Sequence, residues 1–292
     1  MAEKLKNELA FQIMKKILAG SSSPMLAKNL AEKLGIGLAD VSIKRFPDGE
    51  CYVRLHEEVE HAIIVQNTYP DENIIELFLL QDAARRMAGR IDVIIPYYGY
   101  GRQDKIFEKG EAISAEKMAR LIEQDADSIT IVNPHKEHIA RFFNVPTRII
   151  DATEELAKYF KGKVDMAIAP DKGAAAMAAR AAAVIGCKYD YFEKRRISGS
   201  KVETKLKNMD VRGKNVVIID DIISTGGTMI EAIKQIVSQE ANNIYVSCIH
   251  GLFIGNADDK ILQEGAKEII TTDTIESAYS KVSVASEIAK LF

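Results

Sequence analysis

"VVIIDDIISTGGT", Val216 to Thr228, decides how the chain is read. A β-branched run closed by turn residues predicts a buried strand of a parallel sheet, and the apolar spacing of Ile230, Ile233, Ile236 and Val237 predicts an amphipathic helix over Met229 to Ser238. Between them, Ser224, Thr225, Gly226, Gly227 and Thr228 can converge backbone N–H groups at a helix N-terminus, where an anion such as phosphate fits. Asp220 and Asp221, just before, would repel a bare phosphate. They can accept hydrogen bonds from vicinal sugar hydroxyls or hold a divalent cation. Together these residues suggest a ribose phosphate; an ordinary capped turn leaves the double Asp and double Gly unexplained.

Outward from this stretch, short apolar strands alternate with helix-length segments. Ala62 to Gln66 is followed by Asn73 to Met87, Asp92 to Pro96 by Ile113 to Gln124, and Ser128 to Val132 by Lys136 to Phe143. This alternation predicts βαβ units, a parallel sheet covered by helices and the α/β class. The least hydrophobic gap near the middle, Asp151 to Lys163, places a domain passage at 155/156, giving domains 1-155 and 156-292. A weak duplication supports two similar halves: "DVIIPYYGYG" (92–101) pairs with "DMAIAPDKGA" (165–174), and "ITIVNPHKEH" (129–138) with "VVIIDDIIST" (216–225). The second half is then longer, with the excess around Tyr191 to Leu206, a length suited to a functional flap.

The chain has 292 residues, 47% hydrophobic and 28% charged, with a formal net charge of -3. That is room for two ordinary cores and no strong attraction to nucleic acid or membrane. Cys51, Cys187 and Cys248 are odd in number and far apart, which argues against a disulfide framework or a thiolate zinc site and for a reducing cytoplasm. The longest apolar runs are strand-length, and neither a membrane span nor a signal peptide is read. Met1 to Leu9 read as a charged helix-like extension before a first strand, Gln12 to Leu18, with Met14 a plausible alternative start.

Five further stretches stand out. "RFPDGE" (45–50) is most simply a turn. "YYGYGRQDK" (97–105) follows a strand, where open α/β sheets bind ligands, so Arg102 and Gln103 could hold a polyphosphate and a base. "NPHKEH" (133–138) offers His135 and His138 at a spacing unlike that of zinc hydrolases; a histidine near a nucleotide's metal fits better. "APDKGA" (169–174) puts Asp171 at a strand end, as a magnesium ligand, a helix cap, or both. In the flap, Lys194, Arg195 and Arg196 read alone as a solvated charge run, and beside a phosphate site as a cationic lid.

At this point the residues resemble a known family. "VVIIDDIISTGGT" resembles the phosphoribosyl pyrophosphate loop of type I phosphoribosyltransferases. "RFPDGE", "PYYGYGRQDK", "PHKEHIARFF", "PDKGA", "EKRR", "HGLF" and "TTDT" stand in the order seen in ribose-phosphate pyrophosphokinases, from "AGSSSPMLAKNLAEKLG" to "VSVASEIAKLF". The resemblance implies two duplicated type I phosphoribosyltransferase-like domains, the first a degenerate copy carrying ATP loops. It implies the reaction ATP + ribose 5-phosphate → AMP + phosphoribosyl pyrophosphate, with Mg2+ as cofactor.

Carried over by position, Phe46, Asp48 and Glu50 would touch the adenine of ATP bound in a neighbouring subunit of a homo-oligomer, at least a dimer. Arg102 and Gln103 would hold ATP from the home subunit, and His135 and Asp171 would bind or orient the magnesium-bound phosphates. Asp220 and Asp221 would take the ribose hydroxyls, and Ser224 with Thr225, Gly226, Gly227 and Thr228 would form the ribose 5-phosphate loop. Lys194 and Arg196 would close over the β-phosphorus. Asn133-Pro134 stands where Asp-Leu is usual in bacterial members and Ser224 where an Asp is usual, which resembles the archaeal type. No Gly-x-x-x-x-Gly-Lys-Ser/Thr run is present, so this is not a P-loop. The rival readings are a base phosphoribosyltransferase, which needs no ATP loops, and a non-catalytic associated subunit or RNA-binding regulator. The subunit should lack the flap cations or the Asp pair, and the regulator should be basic.

Overall fold

The computed structural model describes residues 15–196, 202–206 and 210–292, the side chains of 194–196 and 202–206 excepted. The segment Met1 to Leu9, the alternative start at Met14 and the beginning of the expected first strand lie outside the described residues.

The chain folds into two compact units. The first comprises the described residues up to Asp151, together with Asp273–Glu276 and Ser283–Phe292; the second comprises Ala152–Thr272 and Ser277–Val282. This differs from a single cut at 155/156. The chain crosses at Asp151, and its last residues return to the first unit, where the helix Ala285–Ala289 packs on the helix Pro24–Leu34. Sequence contrast marks a linker but cannot show that a terminal segment returns.

In chain order the first unit holds β1 (Lys15–Ala19), α1 (Pro24–Leu34), β2 (Gly37–Leu38), β3 (Val41–Arg45), β4 (Cys51–Leu55), β5 (Val59–Val65), α2 (Asp71–Arg85), β6 (Ala88–Ile95), α3 (Ser114–Ile122), β7 (Ser128–Val132) and β8 (Thr147–Ile150). Its parallel sheet runs β2-β1-β5-β6-β7-β8, and β3 and β4 form a separate antiparallel hairpin. The helix expected over Lys136 to Phe143 is a 3-10 segment, Glu137–Phe142. The short connection to β8 leaves room for tight turns rather than a crossover helix.

The second unit holds α4 (Thr153–Lys158), β9 (Met166–Ala169), α5 (Ala175–Ile185), β10 (Lys188–Arg196), β11 (Val202–Leu206), β12 (Asn215–Ile223), α6 (Gly227–Ser238), β13 (Asn243–Gly251), α7 (Ala257–Gln263), β14 (Glu268–Thr272) and β15 (Ser280–Val282); α8 (Ala285–Ala289) belongs to the first unit. Its sheet runs β11-β10-β9-β12-β13-β14-β15, parallel except for the β10–β11 hairpin. Val216, Val217, Ile218 and Ile219 are all 0% exposed. At roughly 1.5–3 kcal/mol for each fully buried aliphatic side chain, this strand anchors the unit.

The duplication is present, in a different register from the one expected. In one sheet β1 lies between β2 and β5; in the other β9 lies between β10 and β12. Each unit also inserts an antiparallel hairpin before the strand that follows, β3–β4 or β10–β11. Neighbour order therefore matches β9 with β1 and β12 with β5, where motif similarity had matched them with β6 and β7. An apolar run ending in Pro and Gly is common to any strand that feeds a turn, so similarity of that kind slips easily. The flap hairpin likewise has a counterpart, the hairpin tipped by Phe46 to Glu50.

Candidate functional site

Both sheets reverse their winding direction at one strand pair, β1/β5 in the first unit and β9/β12 in the second. Ligands of open α/β sheets bind at the carboxyl ends of such pairs. In the second unit β12 pairs with β9 only as far as Ile218 opposite Ile168, but continues along β13 to Ile223 opposite Gly251. Asp220 and Asp221 thus stand on a strand that has outrun its neighbour, beside the loop that begins at Pro170. Asp171 in that loop accepts the backbone N–H groups of Gly173 (2.7 Å) and Ala174 (3.2 Å) through Oδ1, ahead of α5. These bonds close a turn before the helix and do not cap it, since the helix takes Ala174 as its N-cap without a side-chain hydrogen bond; the second Asp171 carboxylate oxygen is left for another partner.

Burial, followed by the adjacent charge of Asp221, pushes the Asp220 carboxyl up to about 8, and the charge of Asp171 adds to the shift. Asp220 is thus crowded by two like charges at the carboxyl ends of neighbouring strands, where hydrogen-bond donors or a cation would relieve the repulsion. Among the described residues no group of three or more His, Cys, Asp or Glu side chains forms a metal cage.

The loop after β12 presents backbone. Gly226 has φ +76 and opens α6, whose first N–H groups have no partner within the helix. Its own position is tight, since a Cβ there would lie 3.1 Å from the Ala257 Cβ. The segment after β13 braces this loop: Leu252 N–H donates to Ile223 O (2.9 Å) and Ile254 N–H to Ser224 O (2.9 Å). Thr225, Gly227 and Thr228 are exposed. Convergent N–H donors, a helix N-terminus and paired acids can hold a phosphorylated sugar at one end and its hydroxyls at the other. Lys194 and Arg196 lie on β10, opposite Thr204 and Val202 of β11, in a hairpin at the margin of the same sheet.

In the first unit the corresponding pair of strand ends is filled by the protein itself. Ser21 donates to Glu76 through N–H (2.7 Å) and Oγ (2.6 Å), Gln66 Nε2 donates to Glu76 Oε1 (3.0 Å), and Asn67 N–H donates to Ser22 Oγ (3.0 Å). A Cβ at Gly20 would meet Gln66 Oε1 at 2.2 Å.

The first unit's candidates occupy other edges. Phe46, Asp48 and Glu50 share the β3–β4 tip: Phe46 N–H donates to Glu50 O (2.8 Å), Asp48 Oδ1 accepts from Glu50 N–H (3.1 Å), and Phe46 is half exposed, edge-on to Tyr52. Arg102 is exposed and Gln103 partly so, in the loop after β6; His135 is half-buried in the loop after β7. Arg45 and Tyr100 both meet the start of α2, Arg45 Nη2 3.8 Å from Glu72 and Tyr100 Oη donating to Asp71 at 2.9 Å.

Sequence reasoning gave no role to Asp104 or Glu111. Asp104 is buried and lies 3.1 Å from His138 Nε2, tying the Arg102–Gln103 loop to the His135 loop; Glu111 accepts from Gln103 Nε2 at 3.2 Å. Asp104 sits inside a quoted motif, and its burial was the missing signal.

A family model described as the N-terminal domain of ribose phosphate pyrophosphokinase matches residues 15–125, and one described as a phosphoribosyl transferase domain matches residues 138–283. A ribose-phosphate pyrophosphokinase of Methanopyrus kandleri is 40% identical over 282 residues, covering 94% of this chain and 97% of the relative. The chain belongs to the ribose-phosphate pyrophosphokinase family. A second member, from Methanothermobacter thermautotrophicus, is 42% identical over 279 residues, covering 94% of this chain and 98% of its own. A crystal structure of phosphoribosylpyrophosphate synthetase from Mycobacterium smegmatis matches with a TM-score of 0.82 at 27% identity, covering 95% of this chain and 97% of that one. The family and fold expected from the motifs, two α/β domains of this type, therefore hold, and the two archaeal relatives agree with the archaeal type expected. Among the described residues no helix is long and apolar enough to cross a membrane.

Proposed function

We propose that this chain transfers the β,γ-pyrophosphoryl group of ATP to the C1 hydroxyl of ribose 5-phosphate, giving phosphoribosyl pyrophosphate and AMP. The observation that carries the reading is the second unit's switch point, where Asp171, Asp220, Asp221 and the Gly226 helix start converge, in a member of this family. Thr225, Gly226, Gly227 and Thr228, with Ser224, hold the 5-phosphate on backbone N–H groups and hydroxyls. Asp220 and Asp221 accept the ribose hydroxyls. That fixes the sugar so that its C1 oxygen faces the β-phosphorus.

Arg102 and Gln103 hold ATP in the first unit's loop, and His135 and Asp171 bind or orient its metal-bound phosphates. The C1 oxygen forms a new bond to the β-phosphorus, the bond from that phosphorus to the α,β-bridging oxygen breaks in line, and AMP departs as the hydroxyl proton is lost. Lys194 and Arg196 meet the charge on the transferring group. Bound Mg2+ would supply further charge neutralisation on the phosphates. Phe46, Asp48 and Glu50 serve the ATP of a neighbouring subunit, so the working form is a homo-oligomer, at least a dimer. We place the protein in the cytoplasm, consistent with the free thiols of Cys51, Cys187 and Cys248; neither nucleic acid nor membrane is a partner.

The test is incubation of the purified chain with magnesium, ATP and ribose 5-phosphate, followed by chromatographic separation of AMP from ADP. Sugar-dependent AMP together with phosphoribosyl pyrophosphate is expected. ADP as the product would make the chain an ordinary kinase, and nucleotide binding without turnover would favour a non-catalytic subunit.

A further inference from the structure

Gln103 is fixed at both ends. Its backbone N–H donates to Tyr100 O (3.2 Å), and its carbonyl accepts from Ala115 N–H (3.1 Å) at the start of α3. Its side-chain Nε2 donates to Glu111 Oε2 (3.2 Å) and Lys105 O (3.3 Å). A backbone carbonyl and an ionised carboxylate can only accept. Flipping the amide would lose both bonds and set oxygen against oxygen, so Gln103 is held with its nitrogen inward. Among the described residues no donor reaches Gln103 Oε1, which remains the group offered to a ligand.

Glu111 is itself held. The same Oε2 accepts the backbone N–H groups of Phe107 (2.7 Å) and Glu108 (2.9 Å), and Glu111 N–H donates back to Glu108 O (3.2 Å). The segment from Lys105 to Glu111 is thus a closed turn around one carboxylate oxygen, and that oxygen sets the sense of the Gln103 amide.

An amide that presents oxygen recognises a donor. On a purine edge, a 6-amino group supplies one, while a 6-oxo group would set a second acceptor against Gln103 Oε1. We propose that Glu111 is a positioning residue for nucleotide selectivity: by locking the Gln103 amide it makes the site prefer a 6-amino purine nucleotide over a 6-oxo one. The inference rests on the nucleotide site proposed above. Once Glu111 is removed only the longer bond to Lys105 O opposes a turn of the amide, and the loss of the charged acceptor lets the amide serve either base at a smaller cost.

The experiment compares ATP with inosine triphosphate in the full-length protein and in Glu111→Ala and Glu111→Gln, with saturating ribose 5-phosphate. Glu111→Ala should lower the ATP-to-inosine-triphosphate ratio of kcat/KM about tenfold. A rise in KM for ATP should carry the change, with KM for ribose 5-phosphate unchanged. Glu111→Gln keeps an accepting oxygen and should retain most of the selectivity. A ratio in Glu111→Ala within twofold of the unsubstituted protein, or equal losses for both nucleotides, would overturn the proposal, because a merely loosened loop weakens both alike. A chain that makes no sugar-dependent AMP overturns the proposed reaction instead. The same ratio is then read from equilibrium binding of the two nucleotides, where an unchanged ratio again rejects the role of Glu111.

Discussion

Asp220 Oδ1 accepts the backbone N–H of Asp221 at 2.9 Å, so the first acid of the pair is turned back onto the peptide that carries the second. Burial and the Asp221 charge raise the folded-state pKa of Asp220 to about 8, well above its unfolded value. The folded protein therefore binds the proton more tightly, and the stability this gives is fully present below about 4 and is lost as pH rises towards about 8. Asp220→Asn should melt at a higher temperature than the unsubstituted protein at pH 8 without ligand, with the two converging near pH 4. A variant that melts lower at pH 8 than at pH 5, by the same margin as the parent, would disprove the repulsion. In the proposed reaction, Asp221→Ala should chiefly weaken ribose 5-phosphate; a loss confined to ATP binding would contradict its assignment.

Gly226 provides a second test, in which strain and ligand binding meet. Its φ of +76 and the 3.1 Å approach to Ala257 leave an alanine there both strained and crowded. Gly226→Ala should cost about 1–2 kcal/mol of stability and raise KM for ribose 5-phosphate more than KM for ATP. Thermal melts and the two KM values read these separately. An unchanged sugar KM would remove the backbone loop from the phosphate site.

Much of this was legible in the sequence because the informative features are local. The run into Asp220 and Asp221 reads as a strand followed by an anion loop, and the strand Ser128–Val132 was placed at its observed bounds, since apolar content and turn residues punctuate them. Long-range pairing was not legible. Matching β9 with β1 requires knowing which strands are neighbours, and the return of α8 to the first unit leaves no mark in composition. Glu111 and Asp104 escaped for the same reason: an ordinary carboxylate in a polar loop acquires its meaning only from the donors that close around it.

Asp92 shows an acid with the opposite shift, at the amino end of the first sheet. It is 3% exposed, yet against the upward pull of burial the hydrogen bonds from His61 (2.7 Å), Ser128 (2.8 Å) and Arg90 (3.1 Å) hold it down at about 2. A depressed carboxyl contributes stability that is present above its unfolded value and lost as pH falls through the folded one. The shift corresponds to about 2 kcal/mol. Asp92→Asn should destabilise by roughly 2–3 kcal/mol at pH 7, the gap to the parent narrowing between pH 4 and pH 2. Urea denaturation at several pH values measures it; a gap independent of pH would mean the charge contributes nothing.

Lys194 tests the proposed chemistry most directly. A cation needed for charge that develops during transfer lowers turnover when removed, while ground-state nucleotide binding changes little. Lys194→Ala should reduce kcat by about 100- to 1,000-fold with KM for ATP within a few-fold of the parent, and an unchanged kcat would sink the lid. If Asp48 of one subunit serves the ATP of the next, Asp48→Ala chains mixed with Lys194→Ala chains should regain activity, because some sites then combine an intact Asp48 with an intact Lys194. Failure to recover activity, with subunit exchange verified by mass spectrometry of the mixed oligomer, would place both residues in sites built from one chain.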